Sequence, residues 1–301
     1  METFRHIGLL GRITERRVLE SLQQLLDFLN RRGVQVLLQE DVAKALKTMD
    51  AQVASIEVIG KTCDLAIVVG GDGSLLGAAR VLAQYDVPLL GVNRGRLGFL
   101  TDIKPREIEQ KVGAILDGEY ILEQRFLLDA ALSRDGATIG NSEAVNDVVL
   151  GSGTSARMIE YELFVEGQFV YSQSSDGVIV STPTGSTAYA LSGGGPIMHP
   201  KVDAIVLVPM FPHTLSSRPI VVDANSEIKI VIGANNPTNP QLSCDGQVNF
   251  SAAPGDSVFI RKRSHDLKLI HPVEHNYYAA CRDKLGWGSR LRSNDDDATD
   301  G

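Results

Sequence analysis

The segment Leu65-Ala66-Ile67-Val68-Val69-Gly70-Gly71-Asp72-Gly73-Ser74 constrains the fold more than any other part of this 301-residue chain. Five apolar residues in a row, closed by glycines, predict a strand buried on both faces, the kind that parallel sheets contain. A parallel neighbour needs a crossover, and the Leu- and Ala-rich stretch 75–83 supplies a helix directly behind the loop. The N-terminal part is therefore committed to α/β architecture. The same unit makes a phosphate cradle. Its glycines allow positive φ, put no side chain between backbone N–H groups and an anion, and lead into a helix N-terminus.

Asp72 is the anomaly in that cradle. At about 4 Å and an effective dielectric near 20, a carboxylate beside a phosphate costs about 4 kcal/mol per unit charge pair. Two kinds of chemistry justify it: helping to hold a metal that bridges phosphates, or taking a proton from a hydroxyl that attacks phosphorus. Both point to phosphoryl transfer. The competing reading is a plain Asp-Gly turn. Two better-known loops do not fit. No Gly-Lys-Ser/Thr follows Gly73, and Gly71, Gly73 and Gly77 give G-x-G-x-x-x-G, one residue too long for the dinucleotide fingerprint. The next strand, 88–92, delivers Asn93 where that fingerprint wants an acidic residue for ribose.

Strand and helix alternate through about residue 120. Segments 7–10 and 34–38 read as strands, and Val18, Leu22, Leu25, Leu26 and Leu29 form a helical stripe ending before Gly33. Ile108, Val112, Ile115 and Leu116 form another, closed by Gly118. From about Arg125 short apolar or alternating runs recur, among them 145–150, 178–181, 258–260 and 267–270. Asp135-Gly136, Glu166-Gly167, Asp245-Gly246 and Pro254-Gly255 punctuate them. This half predicts a β domain of two packed sheets. The tail 293–301, with Asp295-Asp296-Asp297, has almost nothing to bury and is expected to be disordered.

A net charge of −8 argues against nucleic acid and anionic membrane as partners. The one dense basic run, Arg261-Lys262-Arg263, reads as a solvated strand end. No apolar run approaches the ~20 residues of a membrane span, and the apolar start is too short for a signal peptide. Cys63, Cys244 and Cys281 are odd in number and lack C-x-x-C spacing, as expected of buried, idle thiols in a reducing cytoplasm.

Two segments of the second half are too specialised for generic strands. Asn146-Asp147 interrupts an apolar strand with consecutive polar residues. A buried carboxylate without a partner is expensive, and ribose hydroxyls would satisfy it; a strand-end kink is the plainer explanation. The run Ser181-Thr182-Pro183-Thr184-Gly185-Ser186-Thr187-Ala188-Tyr189, with Ser175-Asp176-Gly177 before it and Gly193-Gly194-Gly195-Pro196 after it, predicts a tight, backbone-lined pocket wall opening into a short helix. The bland alternative is a Ser/Thr-rich connection.

Taken in order, the chain resembles the bacterial NAD kinase family over nearly its whole length. The resemblance rests on Gly70-Gly71-Asp72-Gly73-Ser74, Asn93-Arg94-Gly95-Arg96-Leu97-Gly98-Phe99-Leu100, Asn146-Asp147, Asp176-Gly177, the 182–189 run and Pro209-Met210-Phe211-Pro212-His213-Thr214-Leu215. The glycine loop alone is shared with lipid kinases and phosphofructokinase-like enzymes; the ordered set is far more specific. It implies a Rossmann-like α/β domain with a parallel sheet over 1–122, rejoined by 275–292, and a β-sandwich-like domain over 123–274 that forms the NAD pocket.

The implied reaction is phosphorylation of the 2′-hydroxyl of the adenosine ribose of NAD by ATP with a divalent cation, Mg2+. By the same resemblance Asp72 is the general base and Gly73 faces phosphate. Asn146 and Asp147 hold the ribose. Thr187 and Ser192 read the adenine, Ala188 and Tyr189 pack along the dinucleotide, Asp176 meets the nicotinamide end, Arg157 and Gln247 line the site, and Ser174, Ala190 and Leu191 count among the cofactor-binding residues. Ser174 stands where many members carry a basic residue, which removes a charge contact bearing on NAD against NADH. No resident metal ligand is implied. Polyphosphate as an alternative donor and a homodimeric or homotetrameric state are further family expectations.

Two other functions compete: a lipid kinase sharing the glycine loop, which should lack the Asn146-Asp147 and 185–189 pocket, and a nucleotide-sensing module, which gains nothing from Asp72. His271 and His275, four apart with Pro272 and Glu274 between, have no evident third ligand and predict a surface turn instead of a zinc site. His213 is expected to pack.

Overall fold

The computed structural model describes residues 4–13, 15–48, 52–94, 98–153 and 157–288. The expected acidic tail and the Gly95-Arg96-Leu97 centre of the 93–100 motif lie outside these residues. The chain divides into two compact units, one of 1–75, 89–122 and 269–301, the other of 76–88 and 123–268.

The first unit alternates β1 (His6–Gly11), α1 (Arg16–Arg31), β2 (Gln35–Gln39), α2 (Glu40–Leu46), β3 (Gln52–Ala54), α3 (Ile56–Thr62), β4 (Leu65–Gly70), the start of α4 (Asp72–Leu82), β5 (Leu89–Asn93) and α5 (Ile108–Leu116). Its strands pair in parallel in the order β3-β2-β1-β4-β5. β4 is buried at every position, as a strand covered by helices on both faces must be. One core cluster joins Leu22, Leu25 and Leu29 of α1 to Ile7, Leu9, Ile67 and Val69 of the sheet and Val112 and Ile115 of α5. The strand order reverses between β1 and β4, and the β4–α4 junction stands at the carboxyl end of that switch point.

Two expectations change at this junction. The helix begins at Asp72, not Leu75, with the Gly71 carbonyl accepting the N–H groups of Ser74 (2.9 Å) and Leu75 (3.3 Å). A carboxylate in the first turn favours the positive end of the helix dipole, which is why the helix starts on it. Neither Gly71 nor Gly73 takes a positive φ. Their use is space: a Cβ at either position meets nothing within 4 Å.

The second unit holds β6 (Ile121–Arg134), β7 (Ala137–Ala144), β8 (Asp147–Gly151), β9 (Ile159–Val165), β10 (Gln168–Ser175), β11 (Gly177–Ser181), α6 (Tyr189–Ser192), β12 (Ala204–Met210), β13 (Ile220–Asp223), β14 (Ile228–Ile232), β15 (Gln241–Cys244), β16 (Val248–Ser251) and most of β17 (Ser257–His271). An antiparallel sheet runs β13-β12-β11-β8-β15-β16. A second group runs β10-β9-β14-β17, with β6 pairing β17 and β7. Val148, Leu150, Val178 and Val180 of the first sheet share one core with Tyr161, Leu163, Ile228, Ile230 and Ile260 of the second. Ile179, between Val178 and Val180, faces the other way and packs with Ala190, Val206 and Val208. Asp135-Gly136, Glu166-Gly167 and Asp245-Gly246 each place two consecutive residues at positive φ, the signature of a tight hairpin turn.

The runs 258–260 and 267–270 belong to one strand, and Arg261-Lys262-Arg263 is its middle, not a solvated end. Each cation is ion-paired: Arg261 with Glu227, Lys262 with Asp203 (2.6 Å) and Arg263 with Glu143 and Asp129. Those partners neutralise the charges of a segment that its strand neighbours hold in the sheet. The last residues of β17 belong to the first unit, where Leu269 and Ile270 pair in parallel with Leu89 and Leu90 of β5. Helix α7 (Tyr277–Leu285) follows, its first turn capped by Asn276, whose Oδ1 accepts the Ala279 N–H at 2.9 Å.

Candidate active site

In the first unit the Asp72 carboxylate is held by four donors. Oδ2 accepts the Phe99 N–H (2.8 Å) and faces Lys284 Nζ of α7 (3.4 Å); Oδ1 accepts the Leu100 N–H (3.2 Å) and the Thr101 hydroxyl (3.0 Å). Thr101 is fixed in turn by buried Asn93, whose Nδ2 donates to its Oγ1 (3.0 Å) and its carbonyl (3.1 Å). The motif after β5 is therefore a cradle for Asp72. Its donors and the Lys284 cation, which also lies 5.0 Å from the Phe99 ring centroid, offset the charge that makes a carboxylate unwelcome beside phosphate.

The fit leaves no room at Gly98. A Cβ there would lie 1.9 Å from Asp72 Oδ1 and 2.3 Å from Thr101 Oγ1. Gly98→Ala is expected to displace the carboxylate and destabilise the protein by about 1–3 kcal/mol, as overpacking does. Thermal unfolding should show a Tm lower by several degrees, together with reduced turnover; a parental Tm would mean the 98–101 segment yields freely.

In the second unit Asn146 and Asp147 sit where a bend at 145–146 leads into β8, so the interruption of the apolar run is a turn between two strands. Both sides of the bend are clamped. The Asp245 carboxylate, with no exposed side-chain surface, accepts the N–H groups of Val145 (3.0 Å), Asn146 (2.8 Å) and Asp147 (3.3 Å). The Asn146 carbonyl accepts the Thr182 N–H (2.9 Å) and the Ser181 hydroxyl (3.1 Å). Gly185 completes the fit, since a Cβ there would stand 2.2 Å from the Asn146 oxygen. Arg80 braces the far side, donating to Asp245 Oδ2 (3.4 Å) and Gln247 Oε1 (2.8 Å).

Two carboxylates thus lie close in a dry place. Burial first, and the Asp245 charge second, push the Asp147 carboxyl up to about 7. Asp147 can therefore change charge in the neutral range while its backbone stays fixed.

The remaining expected residues spread along the same unit, Gly73 excepted, which is the second residue of α4. Thr187 donates to the Thr184 carbonyl (3.3 Å). Ala188 and Leu191 are half-buried, Ser192 and Arg157 are exposed, and Tyr189 presents 47% of its surface to solvent. Ala190 is fully buried on the inner face of α6, so its side chain serves the core. Half-buried Ser174 places its Oγ 4.0 Å from Met158 Sδ. Half-buried Asp176 is held through its backbone, its N–H on the Met210 carbonyl (3.0 Å) and its carbonyl on the Ser152 N–H (3.2 Å). His213 does not pack. It is exposed in the loop of Phe211, at positive φ and 80% exposed, and Leu215, 98% exposed.

The sequence reading missed Thr101, Lys284, Arg80 and Asp245. Thr101 directly follows the 93–100 motif, and Asp245 carried a signal read only as a turn. Nothing in the pattern around Arg80 or Lys284 marks either.

A model of the ATP-NAD kinase N-terminal domain matches residues 7–120, and one of the ATP-NAD kinase C-terminal domain matches 145–272. The NAD kinase of Pseudomonas aeruginosa strain LESB58 is 59% identical over 295 residues, spanning 98% of this chain and all of that protein. That of Pseudomonas putida strain KT2440 is 58% identical over 296 residues with the same coverage. Yeast NADH kinase, crystallised with NADH, superposes with a TM-score of 0.87 at 26% identity, over 97% of this chain and 90% of that one. An NAD kinase from Archaeoglobus fulgidus in complex with ATP gives 0.69 at 25%, over 93% and 97%. Among the described residues no helix is long and apolar enough to cross a membrane. Matched by one model in each half and by full-length relatives at 58–59% identity, the chain belongs to the ATP-NAD kinase family.

Proposed function

We infer that the chain transfers the terminal phosphoryl group of ATP to the 2′-hydroxyl of the adenosine ribose of NAD, producing NADP. The observation that carries this reading is Asp72, a carboxylate kept in the first turn of a glycine-led helix by a cradle built around it. The ribose 2′-oxygen attacks the γ-phosphorus, the bond to the ADP oxygen breaks, and the hydroxyl proton passes to Asp72. Asn146 and Asp147 hold the ribose hydroxyls. Thr187, Ala188, Tyr189, Leu191 and Ser192 form the adenine wall, and Arg157, Asp176, Ser174 and Gln247 line the remainder.

Four donors already fill the roughly four lone-pair positions of the Asp72 carboxylate. A substrate hydroxyl must therefore displace one. Lys284 holds the longest of the four contacts on the most flexible side chain, and an ATP phosphate offers its ammonium a better partner. Because Asp72 is occupied by donors, Mg2+ is best supplied with the nucleotide as MgATP, held by phosphate oxygens and water. A specific observation favours a second reading, that Asp72 is chiefly the organiser of the 98–101 segment: every oxygen it has is used there.

The test is incubation with NAD and MgATP, read by an NADP-specific dehydrogenase, with polyphosphate and NADH in parallel arms. Absence of NADP in every arm sinks the assignment. The parallel arms decide donor and acceptor preference, which Ser174 leaves open. A homodimer or homotetramer is carried over from the family, and light scattering on the eluted protein decides between them. A cytoplasmic location fits three buried cysteines that form no disulfide.

A further inference from the structure

The two histidines expected in a surface turn are withdrawn from solvent: the side chains of His271 and His275 are 1% and 8% exposed. The structure also supplies the third group that their spacing lacked. Asp102, nine residues beyond the end of β5, places Oδ2 3.1 Å from Nδ1 of His271 and 2.8 Å from Nδ1 of His275. The two rings stack at 3.9 Å with an interplanar angle of 23°, so their Nδ1 edges converge on one carboxylate. One ligand atom from each residue lies within 4.8 Å of the other two. We propose that Asp102, His271 and His275 bind a divalent transition-metal ion of the zinc class, at a site separate from the phosphoryl-transfer groups.

The donor set chooses the class of ion. Two imidazoles and one carboxylate suit zinc and its neighbours, whereas Mg2+ and Ca2+ take oxygens.

The competing description is a carboxylate bridging two imidazoles by hydrogen bonds alone. It leaves buried Oδ1 of Asp102 without a hydrogen-bond partner. A cation among the three groups gives the carboxylate a partner for both oxygens, which two Nδ1–H donors on Oδ2 do not. A cavity of about 260 Å³ reaches Asp102 and His275 and gives room for a fourth ligand, such as water. Glu274, Glu107 and Asp283 on its wall favour a cation; of the two lysines there, Lys111 is paired with Glu107 at 3.3 Å.

The ligands join distant parts of the first unit. Asp102 directly follows Thr101, which donates to Asp72, and His271 and His275 flank the turn from β17 to α7. A bound ion staples the segment that cradles Asp72 to the turn before α7, so its effect is on stability and loop position instead of on the chemical step.

The full chain, stripped of metal with a chelator and returned to chelator-free buffer, is titrated with Co2+ while visible ligand-field bands are recorded, then with Zn2+ by calorimetry. One equivalent is expected, with Co2+ bands typical of four- or five-coordination that Zn2+ displaces. Loss of outer partners alone costs about 10–100-fold in metal affinity, so His275→Ala and Asp102→Asn should each cost about 100-fold or more. Zn2+ at a hundred times its Kd should raise Tm by about 5 °C in the parent and not in His275→Ala. His275→Gln, which keeps a polar side chain at the turn, guards against misfolding as the cause, and its metal-free Tm should match the parent's. Binding well below one equivalent, or affinity unchanged in both His275 variants, overturns the site.

Discussion

Asp72→Asn is expected to lower kcat by about 10²–10⁴-fold, the usual contribution of a general base. The substitution keeps the size of the side chain and removes its charge, so affinity for ATP should hold or tighten as the repulsion of phosphate disappears. The cradle adds a second effect. Oδ1 and Oδ2 each accept a backbone N–H, from Leu100 and Phe99, and the amide of Asn turns one acceptor into a donor. One N–H then loses its partner, at about 1–3 kcal/mol, and Tm should fall by several degrees.

Lys284→Met separates the two effects. It spares the three donors of the 99–101 segment and removes only the cation, so its Tm should stay near the parent's while KM for ATP rises. Measuring kcat, both KM values and Tm on the two variants decides the role of Asp72. Near-parental turnover in Asp72→Asn excludes the base. Loss of ATP binding together with a collapsed Tm makes Asp72 the organiser of its loop.

The parallel half of the fold was legible because period and burial agree there: the stripe Val18, Leu22, Leu25, Leu29 lies on the buried face of α1, and the apolar run 65–69 lies within β4. The start of α4 was misplaced because the apolar stripe begins at Leu75, whereas the helix begins where Gly71 offers its carbonyl and Asp72 meets the dipole. β17 looked like two strands because its centre is charged. Its charges are matched by partners remote in sequence, such as Asp203 and Glu227, and its strand neighbours are remote as well.

The same limit governs the sites. The Asp245 carboxylate reaches across 100 positions to the Val145 N–H, and Asp102 lies 169 positions from His271. Residue types and local spacing mark the groups suited to chemistry. They do not mark the groups that hold those groups still, because the holders lie far away in sequence and several act on backbone amides that every residue has.

Asp147 should make both stability and NAD affinity depend on pH, in opposite directions. Its carboxyl is raised from 3.8 to about 7 by burial and by Asp245. Between those values the folded protein keeps the proton and the unfolded chain has lost it, so the native state binds more protons and stability falls as pH rises from about 4 to 7, then levels off. A shift of this size corresponds to roughly a few kcal/mol over that window. Asp147→Asn removes the titration. Its unfolding free energy should be flatter between pH 4 and 7 and should exceed the parent's above pH 7, read from denaturant melts across the range.

Affinity for NAD runs the other way. A carboxylate accepts hydrogen bonds from ribose hydroxyls that a carboxylic acid accepts less well, and such charged bonds are worth about 1.5–3 kcal/mol. With a pKa near 7 the ionised fraction rises about tenfold between pH 6 and pH 8, so the Kd for NAD should fall about tenfold over that interval, with release of a proton on binding. The Asn variant should bind NAD about tenfold or more weakly at pH 8, close to the parent at pH 6, and with no slope between them. Calorimetry in buffers of different ionisation enthalpy reads both the Kd and the proton. A parent whose affinity is level from pH 6 to 8, or an Asn variant that matches it at pH 8, removes Asp147 from the ribose and leaves it as part of the clamped bend.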